Sequence, residues 1–85
     1  MRRILITGST GGIGSQIVES LAGEETEFFL QYFNEKKKSE KEGHLKRMPG
    51  KINFVRADLT NEEQINEMLG MILNKGGADV IIHCV

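Results

Sequence analysis

The stretch Thr7 to Gly14, TGSTGGIG, decides how this chain is read. It follows the apolar run Ile4-Leu5-Ile6 directly and packs four glycines and three hydroxyl residues into eight positions. Glycine in a folded segment costs roughly 0.5–1 kcal/mol relative to alanine through lost chain entropy, so such a cluster marks backbone that must turn tightly or approach something closely. Upstream, Arg3 to Thr7 is short, apolar and ended by glycine, the pattern of a buried strand. Downstream, Ile13, Ile17, Val18 and Leu21 recur at helical spacing until Gly23. The order is therefore strand, glycine loop, helix.

The same alternation continues along the chain. Glu27 to Phe33, EFFLQYF, reads as a second strand entered from the turn Gly23 to Glu25. Asn34 to Arg47 is dominated by Lys and Glu, with Leu45 as its one strongly apolar residue, which predicts a short or frayed helix ending at Pro49-Gly50. Lys51 to Ala57 is a third strand. Thr60 followed by Glu63 has the pattern of a capping box. Ile65, Met68, Leu69 and Ile72 then form the core stripe of a helix ending near Gly76-Gly77, with Met71 at its rim. Asp79 to Val85 is a fourth strand. Strands alternating with helices imply crossover connections and a parallel α/β sheet.

Composition narrows the function classes. The chain has 85 residues, 39% of them hydrophobic and 27% charged, with a formal charge of −1. That balance gives no global drive toward nucleic acid or an anionic membrane. Seven of the eleven Lys and Arg residues fall between Lys36 and Lys51, but Glu35, Glu40 and Glu42 intersperse them, as on a solvated helix face. The single cysteine, Cys84, excludes an internal disulfide, and one Cys with two scattered His residues does not compose a metal site. No apolar run approaches the ~20 residues that span a bilayer, and a reducing cytoplasm is the expected location.

A glycine loop between strand and helix gathers backbone N–H groups and the positive end of a helix dipole at one place, and the natural guest is a phosphate. The common dinucleotide spacing G-x-G-x-x-G fails here, because from Gly12 it would require glycine where Ile17 stands. The spacing that holds is T-G-x-x-x-G-I-G, with Gly8, Gly12 and Gly14. That pattern resembles the short-chain dehydrogenase/reductase family, as do Asp58-Leu59 after the third strand and DVIIHC at Asp79 to Cys84. FFLQYFN is most similar to the 3-oxoacyl-acyl-carrier-protein reductase branch.

The resemblance implies the N-terminal half of a Rossmann fold, residues 1–85, with strand order 3-2-1-4. It also implies a dinucleotide cofactor, with the pyrophosphate on Gly8, Ser9, Thr10, Gly12, Ile13 and Gly14. Asn34 and Lys36, with the neighbouring lysines to Lys38, then lie near a ribose 2′-phosphate, Asp58 and Leu59 around adenine, and Cys84 where the family has the Asn of N-A-G. No acid precedes Glu35 at the end of the second strand, so NADP is favoured over NAD. The family's catalytic Ser and Tyr-x-x-x-Lys follow the fourth strand, and no catalytic residue is expected among these 85. Tyr32 to Lys36 satisfies Y-x-x-x-K but lies at a strand end, where i and i+4 do not share a face. His83 reads as a packed strand residue.

Two functions follow from different classes. One is the cofactor-binding portion of an NADP-dependent reductase; the other is a nucleotide-binding regulatory module without turnover. An uncovered fourth strand would also present a pairing edge, so either self-association or a continuation of a longer reductase is expected.

Overall fold

The computed structural model describes residues 2–84. Strands β1 (Arg2–Thr7), β2 (Thr26–Tyr32), β3 (Lys51–Arg56) and β4 (Val80–His83) alternate with helices α1 (Gly12–Leu21), α2 (Glu35–Leu45) and α3 (Glu62–Asn74). All strand pairs are parallel and the order is β3-β2-β1-β4, as the sequence predicts. Of the expected fourth strand, Val85 lies outside the described residues.

Side chains that alternate along a central strand fall on opposite faces, and both faces here are covered. Ile4, Ile6, Phe28 and Leu30 pack with Val18 and Leu45 on one side. Leu5, Phe29, Val55 and Ala57 pack with Met68 and Ile72 on the other. Each such side chain, when fully buried, contributes about 1.5–3 kcal/mol of hydrophobic stabilisation. On the α3 face, Glu27 is buried with its carboxylate held by Arg3 Nε at 3.2 Å and Asn53 Nδ2 at 3.0 Å. A charge taken out of water needs such partners.

Three details depart from the sequence reading. Helix α2 is neither short nor frayed and runs eleven residues. Its stability does not come from an apolar stripe: Asn34 caps it by accepting from Lys37 N at 3.1 Å, and Leu45 anchors its far end with no exposure. Glu42 pairs with Lys38 and Lys46, and their hydrogen bonds hold its carboxyl below the usual range. Helix α3 is capped by Asn61, which accepts from Gln64 N, and not by Thr60, which is turned back onto Asp58. Leu69, placed in the core stripe by spacing, is 38% exposed.

Candidate functional site

The C-terminal ends of β1, β2, β3 and β4 converge beside the glycine loop. Gly8 leaves β1 with φ of +67°, and its carbonyl accepts from Gly11 N at 3.1 Å to close a tight turn. A Cβ on Gly8 would lie 2.2 Å from Cys84 O, because Cys84 N donates to Thr7 O and draws the end of β4 against the loop. A Cβ on Gly14 would lie 2.4 Å from Gly8 O, where α1 crosses the strand end. Gly12 differs, since its Cβ would meet no atom within 4 Å. Gly8 and Gly14 are glycine for packing, and Gly12 keeps open the space in front of the helix.

That space faces unsatisfied donors. The first intrahelical bond runs from Ser15 N to Gly11 O, so the amides of Gly12, Ile13 and Gly14 have no partner within the helix. Gly11 supplies no side-chain cap, and no acid stands in the first turn of α1. By contrast, α2 and α3 are capped by Asn34 and Asn61 and begin with Glu35 and with Glu62 and Glu63. The α1 terminus therefore offers donors and a positive dipole end with nothing of its own to neutralise them.

Two cavities meet here, sharing Gly8, Thr10 and Cys84. One, of about 350 Å³, is lined by the glycine loop with Asn34 and Lys37. The other, of about 430 Å³, runs over the strand ends past Tyr32, Phe33, Asp58, Leu59 and His83. Gly8, Thr10, Gly12, Ile13, Gly14, Asn34, Asp58, Leu59 and Cys84 are thus brought together. Ser9 and Lys36 are not. Ser9 is fully buried, with its Oγ donating to Gln31 O at 2.9 Å. Lys36 is exposed and lines neither cavity, because helical rotation brings Lys37 to the wall instead. His83, expected to be packed, is exposed along the cavity with Nδ1 2.5 Å from Thr7 Oγ1.

Asp58 serves two purposes. Its carboxylate accepts from Thr60 Oγ1 at 2.7 Å and from Thr60 N at 2.9 Å, which holds it below the ordinary carboxylate range and shapes the turn into α3. It also stands in the cavity wall. Tyr32 donates to Glu35 Oε1 at 3.2 Å, and burial followed by the Glu35 charge pushes its phenol up despite Lys38 and Arg56 nearby. A general base needs the opposite shift. Lys38, not Lys36, lies over the Tyr32 ring, 5.7 Å from its centroid.

The residue that sequence reasoning missed is Gln31, 3% exposed. Its Oε1 accepts from Gly8 N at 2.8 Å and its Nε2 donates to Ala57 O at 2.7 Å. The signal was available, for an amide inside the apolar strand FFLQYF must find partners when buried. Phe33 was also overlooked; its ring carries Arg56 at 4.8 Å.

Residues 2–85 match the short chain dehydrogenase family. Among solved structures, the chain is similar to a short chain dehydrogenase from Bacillus anthracis, with 26% identity and a TM-score of 0.84 over 99% of this chain and 34% of that one. At 23% identity and a TM-score of 0.84, a short-chain type dehydrogenase/reductase from Mycobacterium ulcerans shares the fold over 98% of this chain and 32% of its own. A variant of actinorhodin polyketide ketoreductase with NADPH does so at 21% identity and a TM-score of 0.85, over 98% of this chain and 32% of its own. The chain spans about a third of the length of these structures. No curated protein matches it significantly.

The packing argument separates the glycines. Gly14→Ala is expected to lower stability by about 1–3 kcal/mol through overpacking, whereas Gly43→Ala, inside α2 with no atom within 4 Å of the new methyl, raises it by about 0.5–1 kcal/mol. Urea unfolding checks both, and a Gly14→Ala variant as stable as wild type would refute the contact.

Proposed function

Because the chain belongs to the short-chain dehydrogenase/reductase family, we propose that its nucleotide-binding region takes NADP(H) in preference to NAD(H) and serves hydride transfer between the nicotinamide and a carbonyl or alcohol substrate. A 3-oxoacyl group on a carrier protein is the substrate class suggested by the resemblance of β2. The observation that carries the reading is the uncapped α1 terminus facing a cavity whose other wall holds Asn34 and Lys37. The amides of Gly12, Ile13 and Gly14 would hold the pyrophosphate. Phe33, Asp58, Leu59 and Cys84 line the cavity that would take the adenosine. Lys37 would hold a 2′-phosphate, and Glu35 is turned to Tyr32 and Arg56.

The environment proposed is a reducing cytoplasm, which suits the free thiol of Cys84. No helix among the described residues is long and apolar enough to cross a membrane. Strand β4 has β1 as its one neighbour among the described residues, and Val80 and Ile81 are 40% and 63% exposed. With Leu73 exposed on α3, this edge is proposed to pair with a strand of a second copy or to be covered by a continuation of the chain. Sedimentation should show association as concentration rises, and a monomer throughout would contradict the pairing.

Calorimetric titration of the 85-residue chain tests the cofactor reading. NADPH is expected to bind about tenfold more tightly than NADH, and Lys37→Ala to bring the two near parity by removing a charge-assisted contact. Gly12→Ala, which clashes with nothing in the protein, should keep its unfolding midpoint while losing affinity about tenfold or more. Absence of binding in a folded sample, or tighter NADH, overturns the proposal.

A further inference from the structure

Gln31 lines the cavity over the strand ends, and its buried amide is bonded on both sides. It sits near the end of β2, between the strand that leads into the glycine loop and the strand that leads to Asp58. Four hydrogen bonds converge on this one residue. Through its side chain, Gly8 N donates to Oε1 at 2.8 Å and Nε2 donates to Ala57 O at 2.7 Å. Through its main-chain carbonyl, it accepts from Ser9 N at 3.2 Å and Ser9 Oγ at 2.9 Å. Its two ends therefore hold the first two residues of the glycine loop and the residue directly before Asp58. These are the two halves of the proposed nucleotide site, the phosphate side and the adenine side.

We infer that Gln31 is a positioning residue that fixes the glycine loop relative to the Ala57–Asp58 strand end, and thereby sets the span over which a dinucleotide is held. The inference rests on the cofactor reading above and deepens it. An amide is the side-chain group suited to the task. Gly8 N needs an acceptor and Ala57 O needs a donor, and a carboxamide supplies one of each in fixed geometry. No ionised group does so, since a carboxylate lacks the donor and a lysine lacks the acceptor. Burial raises the stake, for a backbone group left without its partner there costs the full desolvation of that group.

The chemistry makes the residue convertible into a pH-dependent strut. In Gln31→Glu, the protonated carboxyl reproduces both bonds, its carbonyl accepting from Gly8 N and its O–H donating to Ala57 O. The ionised form sets an oxygen against the Ala57 carbonyl. Burial disfavours the charged carboxylate, so the variant's crossover lies above the ordinary Glu value of about 4.3. The titratable groups lining the same cavity are Tyr32, Asp58, His83 and Cys84. All are present in wild type, so a ratio of variant to wild-type affinity at each pH removes their contribution and that of the ligand's own phosphates.

The experiment titrates the whole chain and its Gln31→Glu and Gln31→Met variants with NADP⁺ from pH 5 to pH 8, with circular dichroism to verify folding at each point. The expected result is a Gln31→Glu ratio near one at the acid end that falls tenfold or more with rising pH, and a Gln31→Met affinity reduced throughout. A Gln31→Glu ratio that stays level across the range, or Gln31→Met binding as wild type does, overturns the inference. If wild type binds neither NADP⁺ nor NAD⁺, the cofactor reading fails separately, and hydrogen exchange at the Gly8 amide decides the strut alone. Faster exchange in folded Gln31→Met supports the strut, and unchanged exchange overturns it.

Discussion

The structure depends on a backbone contact that leaves no room for a side chain. Gly14, in the first turn of α1, lies against the carbonyl of Gly8, and Gly8 in turn lies against the carbonyl of Cys84 at the end of β4. Helix, loop and strand end are therefore stacked at van der Waals distance. That stacking aims the α1 axis at the space beyond the sheet, so the amides of its first turn open where β1 and β4 stop. Any side chain at either glycine would push the helix away from the strand ends and the donors away from the cavity.

Electrostatics then distinguishes this end of the molecule from the rest of its surface. The other two helices neutralise their own termini with an asparagine cap and first-turn glutamates, which makes them stable and inert. The α1 terminus carries neither, a local cost in helix stability that a bound anion would offset. Asp58 stays ionised through its bonds from Thr60, yet it stands across the strand ends and not at the loop. Donors gather on one side of the trough and an acceptor on the other, an arrangement suited to a ligand with a phosphate end and a base end.

Much of this was legible in the residues. The continuous apolar runs Ile4-Leu5-Ile6 and Phe28-Phe29-Leu30 announce strands covered on both faces, and the glycine spacing places the loop. The limits of the reading have physical causes. Helix α2 looked weak because periodicity measures only burial, while its stability comes from the Asn34 cap, the Glu42 ion pairs and one buried leucine. Thr60 looked like a cap by its spacing to Glu63, but Asp58 engages its hydroxyl, a contest that spacing does not reveal. Lys37 instead of Lys36 faces the loop because the start of α2 fixes the rotation of every residue after it. That Gln31 needs partners was legible, but their identity was not: Gly8 and Ala57 lie 23 and 26 residues away and meet only after the sheet forms.

The claim at the centre of this account is that a dinucleotide's pyrophosphate is held by the amides of the first turn of α1. Residue-resolved nuclear magnetic resonance of the ¹⁵N-labelled chain, followed through a titration with NADPH, tests it most directly. The account predicts the largest amide shifts at Gly12, Ile13 and Gly14, with smaller ones at Lys37 and Leu59. Shifts confined to the cleft between β3 and α3, lined by Arg56, Glu63 and Glu67, would contradict it, as would a spectrum of the folded chain that does not change.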